Sequence, residues 1–354
     1  MTMTFRKKSG LLPPRLQDAV DEYEAITGER VNMKQVDPDR PVVRKHYKRF
    51  LQKNFVINMG ANEGERLSLR MGIKPMIREI VSKEGIGEFK SVCDAEGWKY
   101  LISPVPVREN CYNGHVGFNK TGMGDLGLDH AEQYIVYAGH DRNLLGSACE
   151  LERRMISTDT QTSPWDTIKL GITLGYPKCC SEAFSKINST RNQPYIQNSF
   201  QRTKIPNRFL NNLSLELFHY IGWTPCRYDC PESIDFAAKI DRHLNQLGHP
   251  GRVNALKYLG MPKLYIDDRR QILFHGKKLS GNAIAYTAVF SPCAFSKNNG
   301  ATLFDWIFYA HLASVFASGD RVFFTDNRSV DIFSGTRKIT NLELPKDALW
   351  FIFQ

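Results

Sequence analysis

The sequence predicts an α+β fold with an N-terminal α/β region, a central helical cysteine unit and a C-terminal antiparallel β-rich region. Helix-forming and strand-forming segments alternate before residue 157, which is typical of a small α/β layer. Helical periodicity flanks two groups of cysteines between residues 165 and 260. After residue 261, short alternating or β-branched runs are joined by turn-forming residues, which indicates a sheet.

These patterns divide the chain into four expected segments. They are a disordered basic arm over residues 1–12, an α/β domain over 13–156, the cysteine unit over 165–260 and the β-rich region, with one helix, over 261–354. The polar stretch between Ser157 and Pro164 is the predicted boundary between the α/β domain and the cysteine unit.

In the N-terminal segments, hydrophobic spacing predicts helices and strands in alternation. The predicted helices cover 15–27, 44–53, 74–82, 87–95 and 142–154, and the predicted strands cover 55–59, 98–107 and 133–137. The helix over 44–53 mixes basic residues with Tyr47 and Phe50. That mixture suits contacts with phosphates and bases or, alternatively, a solvated basic face over a core. A G-x-G-x-x-G string at 122–127 precedes a strand instead of a helix, so we expect a loop there.

In the C-terminal region, the alternation changes to the period of strands. The predicted strands cover 264–266, 271–274, 282–290, 321–325, 330–333 and 338–342, and an apolar helix is predicted over 301–316.

The net charge of the 354-residue chain is +10, which favours an anionic partner such as nucleic acid, a nucleotide or an acidic peptide. The alternative is a basic surface with no specific partner. No run of about 18 apolar residues occurs, and no apolar stretch follows the basic N-terminus, so we expect neither a membrane span nor a secretory signal. A cytoplasmic protein is therefore expected, and in a reducing cytosol its eight cysteines would be thiols or metal ligands.

Half of those cysteines fall in two short groups, Leu174–Phe184 and Thr224–Pro231. Each group follows a proline-marked break, where a turn can direct side chains toward one point. Cys179 and Cys180 would lie in the first turn of a helix, where the helix dipole favours thiolate. Cys226 and Cys230, four residues apart, would share a helical face if helix begins early enough.

Four thiolates in two pairs can form a tetrahedral zinc site or hold an iron–sulfur cluster. The predicted ligands are Cys179, Cys180, Cys226 and Cys230, with His219 as a further candidate. The adjacent pair favours a cluster, or one zinc ligand from the two, because neighbouring cysteines rarely bind one zinc ion without strain. Ser233 stands where the radical S-adenosylmethionine motif needs a third cysteine, so that motif is absent. Two other interpretations remain open, a catalytic thiol without metal and small buried hydrophobic side chains.

The pattern Leu174-Gly175-Tyr176-Pro177-x-Cys179-Cys180-x-x-Ala183-Phe184 with Pro225-Cys226-x-x-x-Cys230-x-x-Ser233 resembles a group of prokaryotic proteins classed as domain of unknown function 483, over about residues 165–250. The resemblance implies that the four cysteines act as one unit, and it brings no activity with it. The chain is more distantly similar to CCG-type cysteine-rich domains, which hold iron–sulfur clusters. It departs from their pattern because Ser181 replaces the glycine and three residues separate the second pair.

Four further residues are candidates for acid–base chemistry. His140 and Asp141 follow a predicted strand and precede a helix, although Asp141 also suits a helix N-cap, and Glu182 and Asp229 lie next to cysteines. The leading interpretation is a metal- or iron–sulfur-dependent enzyme that acts on an anionic substrate, with nucleic acid or a nucleotide as candidates, in a modification or biosynthetic pathway. The alternative is a nucleic-acid-binding protein, not an enzyme, with a structural four-cysteine zinc site.

Overall fold

The computed structural model describes Met59 and residues 62–112, 115–120, 133–157, 163–188, 195–213, 218–266, 271–279, 282–290, 315–316, 318–324, 328–344 and 348–354. These residues belong to two units. The cysteine-bearing unit comprises residues from 57–112 and 116–259 together with Gln354, and the sheet unit comprises residues from 260–353 together with His115. Both helices and antiparallel sheets are present, which confirms the α+β prediction.

The cysteine-bearing unit contains these elements: α1 (Glu63–Arg70), β1 (Met76–Ser82), α2 (Gly85–Glu96), β2 (Lys99–Tyr112), β3 (His115–Lys120), β4 (Gln133–Gly139), α3 (Arg142–Ser157), α4 (Pro164–Thr173), α5 (Lys178–Asn188), α6 (Tyr195–Gln201), a 3-10 turn (Arg208–Leu210), α7 (Pro231–Gln246) and α8 (Arg252–Leu259). Its strands form one sheet in the order β1-β4-β2-β3. Strand β4 pairs antiparallel with β1 on one side and β2 on the other, and α2 connects β1 to β2.

One predicted helix is wrong, because residues 76–82 form β1. Its sequence, Met-Ile-Arg-Glu-Ile-Val-Ser, contains three β-branched residues, and short apolar runs of this kind fit either a helix or a strand. Pairing decides between them here, since all seven residues align with β4 from Met76 opposite Gly139 to Ser82 opposite Gln133. The tertiary partner overrides the local helical spacing.

The four-stranded sheet is covered on both faces. Successive residues of β4 alternate between two core clusters, with Tyr137 in one cluster and Val136 in the other. The Tyr137 cluster includes Leu145 of α3 and Leu170 of α4. The Val136 cluster includes Phe89 of α2. Helix α4, which leads to the first cysteines, is therefore anchored on this sheet.

The sheet unit contains β5 (Lys263–Tyr265), β6 (Gln271–Lys278), β7 (Ala283–Phe290), β8 (Arg321–Phe324), β9 (Ser329–Ser334), β10 (Arg337–Glu343) and β11 (Leu349–Phe351). They form a seven-stranded sheet in the order β10-β9-β8-β7-β6-β5-β11, and every neighbouring pair is antiparallel. Phe274, Ile284, Tyr286, Phe316 and Val322 lie in its core. The predicted C-terminal β-rich region is confirmed.

Several predictions lie outside the described residues. They are the basic arm over 1–12, the helices over 15–27 and 44–53, most of the strand over 55–59, the glycine-rich loop over 122–127 and most of the helix over 301–316. Residues from the predicted α/β domain and from the predicted cysteine unit both belong to the cysteine-bearing unit. The boundaries expected between those two segments stay predictions. Within the described ranges, no helix has the length and apolar character that crossing a membrane requires.

Candidate metal centre

The first cysteine arm, Tyr176–Cys180, begins just beyond the end of α4. Gly175 has a φ of 81°, a backbone conformation that glycine adopts without the steric cost of a side chain. The chain then turns at Pro177, whose carbonyl accepts a hydrogen bond from the Cys180 amide at 3.0 Å. Cys179 and Cys180 therefore lie in the first turn of α5, as the sequence predicts.

The second cysteine arm, Trp223–Cys230, is a loop. The helix that follows begins only after Cys230, so Cys226 and Cys230 do not share a helical face as the sequence suggested. The Cys230 amide donates to the Arg227 carbonyl at 3.1 Å, and Cys230 is the N-cap of α7. A turn, not a helical face, therefore brings Cys226 and Cys230 together. The hydroxyl of Ser199, on α6, donates to the Pro225 carbonyl at 2.6 Å and fixes the start of the arm.

The two arms bring all four thiols into one group, as the sequence predicts. Every pair of their Sγ atoms lies within 4.8 Å. The Cys179 Sγ is 3.9 Å from that of Cys180 and 3.7 Å from that of Cys230, and the Sγ atoms of Cys180 and Cys230 are 3.8 Å apart. Sulfur atoms about 2.3 Å from a central ion, at the corners of a tetrahedron, are about 3.8 Å apart. The four cysteines could therefore hold one metal ion.

The protonation of this group is uneven. Burial, and then electrostatic repulsion from the neighbouring Cys180 and Cys230, raise the pKa of the Cys179 thiol to about 12. A hydrogen bond with Cys180 lowers the pKa of Cys226, but the hydrogen bond with Cys230 and burial outweigh it and raise the value to about 12. Hydrogen bonds with Cys226 and Cys230, and then burial, raise the pKa of Cys180.

Cys230 differs from the other three. Hydrogen bonds from Cys180 and Cys226 stabilise its thiolate and lower its pKa. Because the first negative charge in a close group opposes the next, one thiolate surrounded by three thiols is the expected metal-free state near neutral pH. A cation would favour deprotonation of the remaining three.

The other predicted site residues do not join the four thiols. His219 is buried, and it is not part of the thiol group. Asp141 accepts a hydrogen bond from the Asn143 amide at 2.8 Å and so caps α3, while His140 is exposed. The structure therefore gives Asp141 the N-cap role that the sequence also allowed.

The two acidic residues next to the cysteines have partners of their own. Glu182 lies 3.8 Å from the Lys178 ammonium, one helical turn away. Asp229 accepts a hydrogen bond from the Lys204 amide at 3.1 Å and lies 3.4 Å from the Arg227 guanidinium. Both carboxylates are therefore engaged by basic groups or backbone at the edge of the thiol group.

Sequence reasoning did not predict that two further side chains contact the thiols. The Ser233 Oγ is 3.3 Å from the Cys180 Sγ, and the Cys230 Sγ is 3.2 Å from a carboxylate oxygen of Glu232. Both residues follow Cys230 within the first turn of α7, where side chains point back toward the helix start. The proline after Cys230 predicts from the sequence where this helix begins. Only the fold shows that the first turn faces the thiols.

No protein-family model, no curated protein and no solved structure matches the chain. The resemblance to domain of unknown function 483 therefore depends on the cysteine motif alone and stays an expectation.

Proposed function

We propose that the chain is a zinc protein in which Cys179, Cys180, Cys226 and Cys230 bind one structural Zn²⁺ ion, and that the protein binds a polyanion, in the first place nucleic acid. The observation that carries the metal proposal is the set of Sγ–Sγ separations of 3.7, 3.8 and 3.9 Å, close to the edge of a tetrahedron around zinc. A set of four thiolates is also a donor set that zinc prefers in structural sites.

The same separations favour a single ion over an iron–sulfur cluster. In a [4Fe–4S] cluster each thiolate binds a different iron atom, so the four sulfur atoms stand much farther apart than the ligands of one ion. A [2Fe–2S] cluster would place two close pairs on two separate irons. Here all four Sγ atoms lie within 4.8 Å of one another. The Sγ atoms of Cys179 and Cys180 are 3.9 Å apart, so both can face one ion although the two residues are neighbours in sequence.

A structural role is better supported than a catalytic one. Catalytic zinc sites keep one position for water or substrate, whereas four thiolates complete a tetrahedron. The acid–base candidates near the thiols also have other partners: Glu182 pairs with Lys178, and Asp229 contacts the Lys204 amide and Arg227. We therefore place the non-enzymatic interpretation ahead of the metal-dependent enzyme.

The proposed polyanion contact is the basic rim of the metal centre, formed by Lys178, Arg202, Lys204 and Arg227. Between residues 176 and 230 the sequence has seven lysines and arginines and three acidic residues. The Lys204 amide donates to Asp229, so the segment that carries Arg202 and Lys204 lies against the second cysteine arm. The side chains of these two residues are exposed, and within the described structure neither forms an ion pair. Unpaired, exposed basic groups are free to neutralise phosphates.

Metal analysis of protein purified without added metal tests the proposal. We expect one zinc ion per chain and no absorption in the visible range. Replacement by Co²⁺ should give the intense visible bands of tetrahedral cobalt with four sulfur ligands. Stoichiometric iron together with broad absorption near 400 nm would instead support the iron–sulfur enzyme.

A further inference from the structure

An aromatic residue stands three positions before the first cysteine of each arm. Tyr176 precedes Cys179, and Trp223 precedes Cys226. Their ring centroids are 5.0 Å apart with an angle of 31° between the ring planes. The two cysteine arms are therefore in direct contact at their starting points, before either arm reaches the thiols.

Both rings also face one buried cation. The Lys74 ammonium lies 4.8 Å from the centroid of the Tyr176 ring and 5.8 Å from that of the Trp223 ring, which are distances typical of cation–π contacts. The Lys74 side chain is fully buried and forms an ion pair with Glu65 of α1, which is also buried. The second carboxylate oxygen of Glu65 accepts a hydrogen bond from the Gly222 amide at 2.9 Å.

The backbone around this cation leaves no room for larger residues. A Cβ added to Gly222 would lie 2.7 Å from the Glu65 carboxyl carbon. A Cβ added to Gly175 would lie 2.9 Å from Pro75 and 3.3 Å from Lys74. Thus the residue just before each aromatic ring is a glycine that allows the chain to approach the ion pair.

Trp223 continues the connection to the thiols. Its indole N–H lies 3.2 Å from the Ser233 Oγ, which in turn lies 3.3 Å from the Cys180 Sγ. An indole nitrogen only donates, so the Ser233 oxygen accepts there. Its own hydroxyl proton can then point to Cys180, and a hydrogen bond to sulfur stabilises the thiolate that binds a metal.

We propose that Lys74 and Ser233 are positioning residues for the metal ligands. Lys74, held by Glu65, fixes Tyr176 and Trp223 against each other and so sets the spacing of the two arms. Ser233, oriented by Trp223, directs its proton to Cys180. This inference rests on the proposed metal site. It adds two residues, Lys74 and Ser233, that do not bind the ion themselves.

The test is a Co²⁺ titration of the full chain, with a chelator as competitor, that yields both affinity and absorption spectrum. Partners that hold metal ligands by hydrogen bonds are typically worth about 10–100-fold in metal affinity. We expect Ser233→Ala and Trp223→Phe each to weaken Co²⁺ binding by about 10-fold or more. We also expect their sulfur-to-cobalt charge-transfer band to move to longer wavelength, because a thiolate without that hydrogen bond is more readily oxidised.

Ser185→Ala is the matched control, since the Ser185 hydroxyl is also buried but donates to the Pro164 carbonyl at 2.9 Å. It should leave the affinity and the spectrum unchanged. Wild-type affinity and spectrum in both Ser233→Ala and Trp223→Phe would overturn the role of Ser233. A wild-type chain that binds no Co²⁺ would instead overturn the proposed metal site itself, so the two failures are distinguishable.

The role of Lys74 is tested with Lys74→Met combined with Glu65→Gln, which removes both charges together. Tyr176→Leu removes one of the two rings and leaves the ion pair in place, so it serves if the double variant does not fold. We expect either protein to bind Co²⁺ at least about 10-fold more weakly than the wild type. Tyr176→Phe keeps the ring and should retain the affinity. Unchanged Co²⁺ affinity in Tyr176→Leu would overturn the role of Lys74.

Discussion

The amide of Cys226 donates a hydrogen bond to the Sγ of Cys180 at 3.3 Å, across 46 positions of the sequence. The donor is a backbone group, which a change of side chain does not remove. This contact between the two cysteine arms should therefore persist when the side chain at position 226 is changed. Removal of the Cys226 thiol therefore tests the metal ligand with little direct effect on how the arms meet.

Cys226→Ser should abolish stoichiometric zinc and lower the thermal midpoint of the cysteine-bearing unit by about 10 °C or more, because a structural zinc site contributes folding free energy directly. Metal analysis and calorimetry measure the two effects. Cys149→Ala is the control, since Cys149 is buried away from the thiol group. It should keep its zinc. A shift of only a few degrees in metal-free Cys226→Ser would return support to the catalytic interpretation.

Zinc binding near neutral pH should release about three protons per ion, because the pKa values of Cys179, Cys180 and Cys226 are raised and that of Cys230 is lowered. The apparent affinity should therefore fall as the pH falls, and rise with pH while those three thiols stay protonated in the metal-free protein. Calorimetric titrations in two buffers with different ionisation enthalpies count the protons. Four independent thiols with ordinary pKa values near 8.5 would release nearly four protons at pH 7.

Arg202→Glu combined with Lys204→Glu should weaken nucleic-acid binding at low salt and reduce the dependence of log affinity on log salt concentration by about two, if each residue neutralises one phosphate. Fluorescence anisotropy with a labelled oligonucleotide measures both quantities. The control with the same change of charge is Arg242→Glu with Lys257→Glu, since both residues are exposed and lie far along α7 and on α8. Equal effects of the two double variants would show a response to net charge alone.

Gly222→Ala should destabilise the cysteine-bearing unit by about 1–3 kcal/mol, because the added Cβ would lie 2.7 Å from the Glu65 carboxyl carbon in a packed interior. Gly146→Ala provides the contrast. Gly146 lies within α3, and a Cβ there would meet nothing within 4 Å. It should stabilise the unit by about 0.5–1 kcal/mol through helix propensity. Urea unfolding curves of the two variants compare the effects, and equal stabilities would contradict the close approach at Gly222.

The sequence was sufficient to predict those helices and strands whose spacing of apolar residues fits only one type of element. The helices α2 and α3 and the strand β4 lie within a few residues of their predicted bounds. Each combines periodic apolar spacing with a clear start or stop signal, such as Gly97 at the end of α2. The strand β1 was mistaken for a helix because its neighbour β4 lies more than 50 residues away in sequence, and local spacing contains no information about that partner.

The candidate site divides in the same way. The four cysteines could be predicted as one group because proline breaks and helix starts are local signals. The roles of Ser233 and Lys74 could not be predicted in this way, because both depend on packing between segments that are distant in sequence. Lys74, for example, pairs with Glu65 only because α1 packs against the approach to the second arm. A charged residue in a mixed sequence such as Ile73-Lys74-Pro75 looks like an exposed one until the fold supplies its partner.

The indole of Trp223 is separated from the Cys180 sulfur by a single hydroxyl group. That position makes the residue an intrinsic optical probe of the centre, because a paramagnetic ion such as Co²⁺ quenches nearby tryptophan emission and diamagnetic Zn²⁺ does not. Emission that dims with cobalt and returns with zinc would therefore report metal exchange in the native chain, in real time and with no added label.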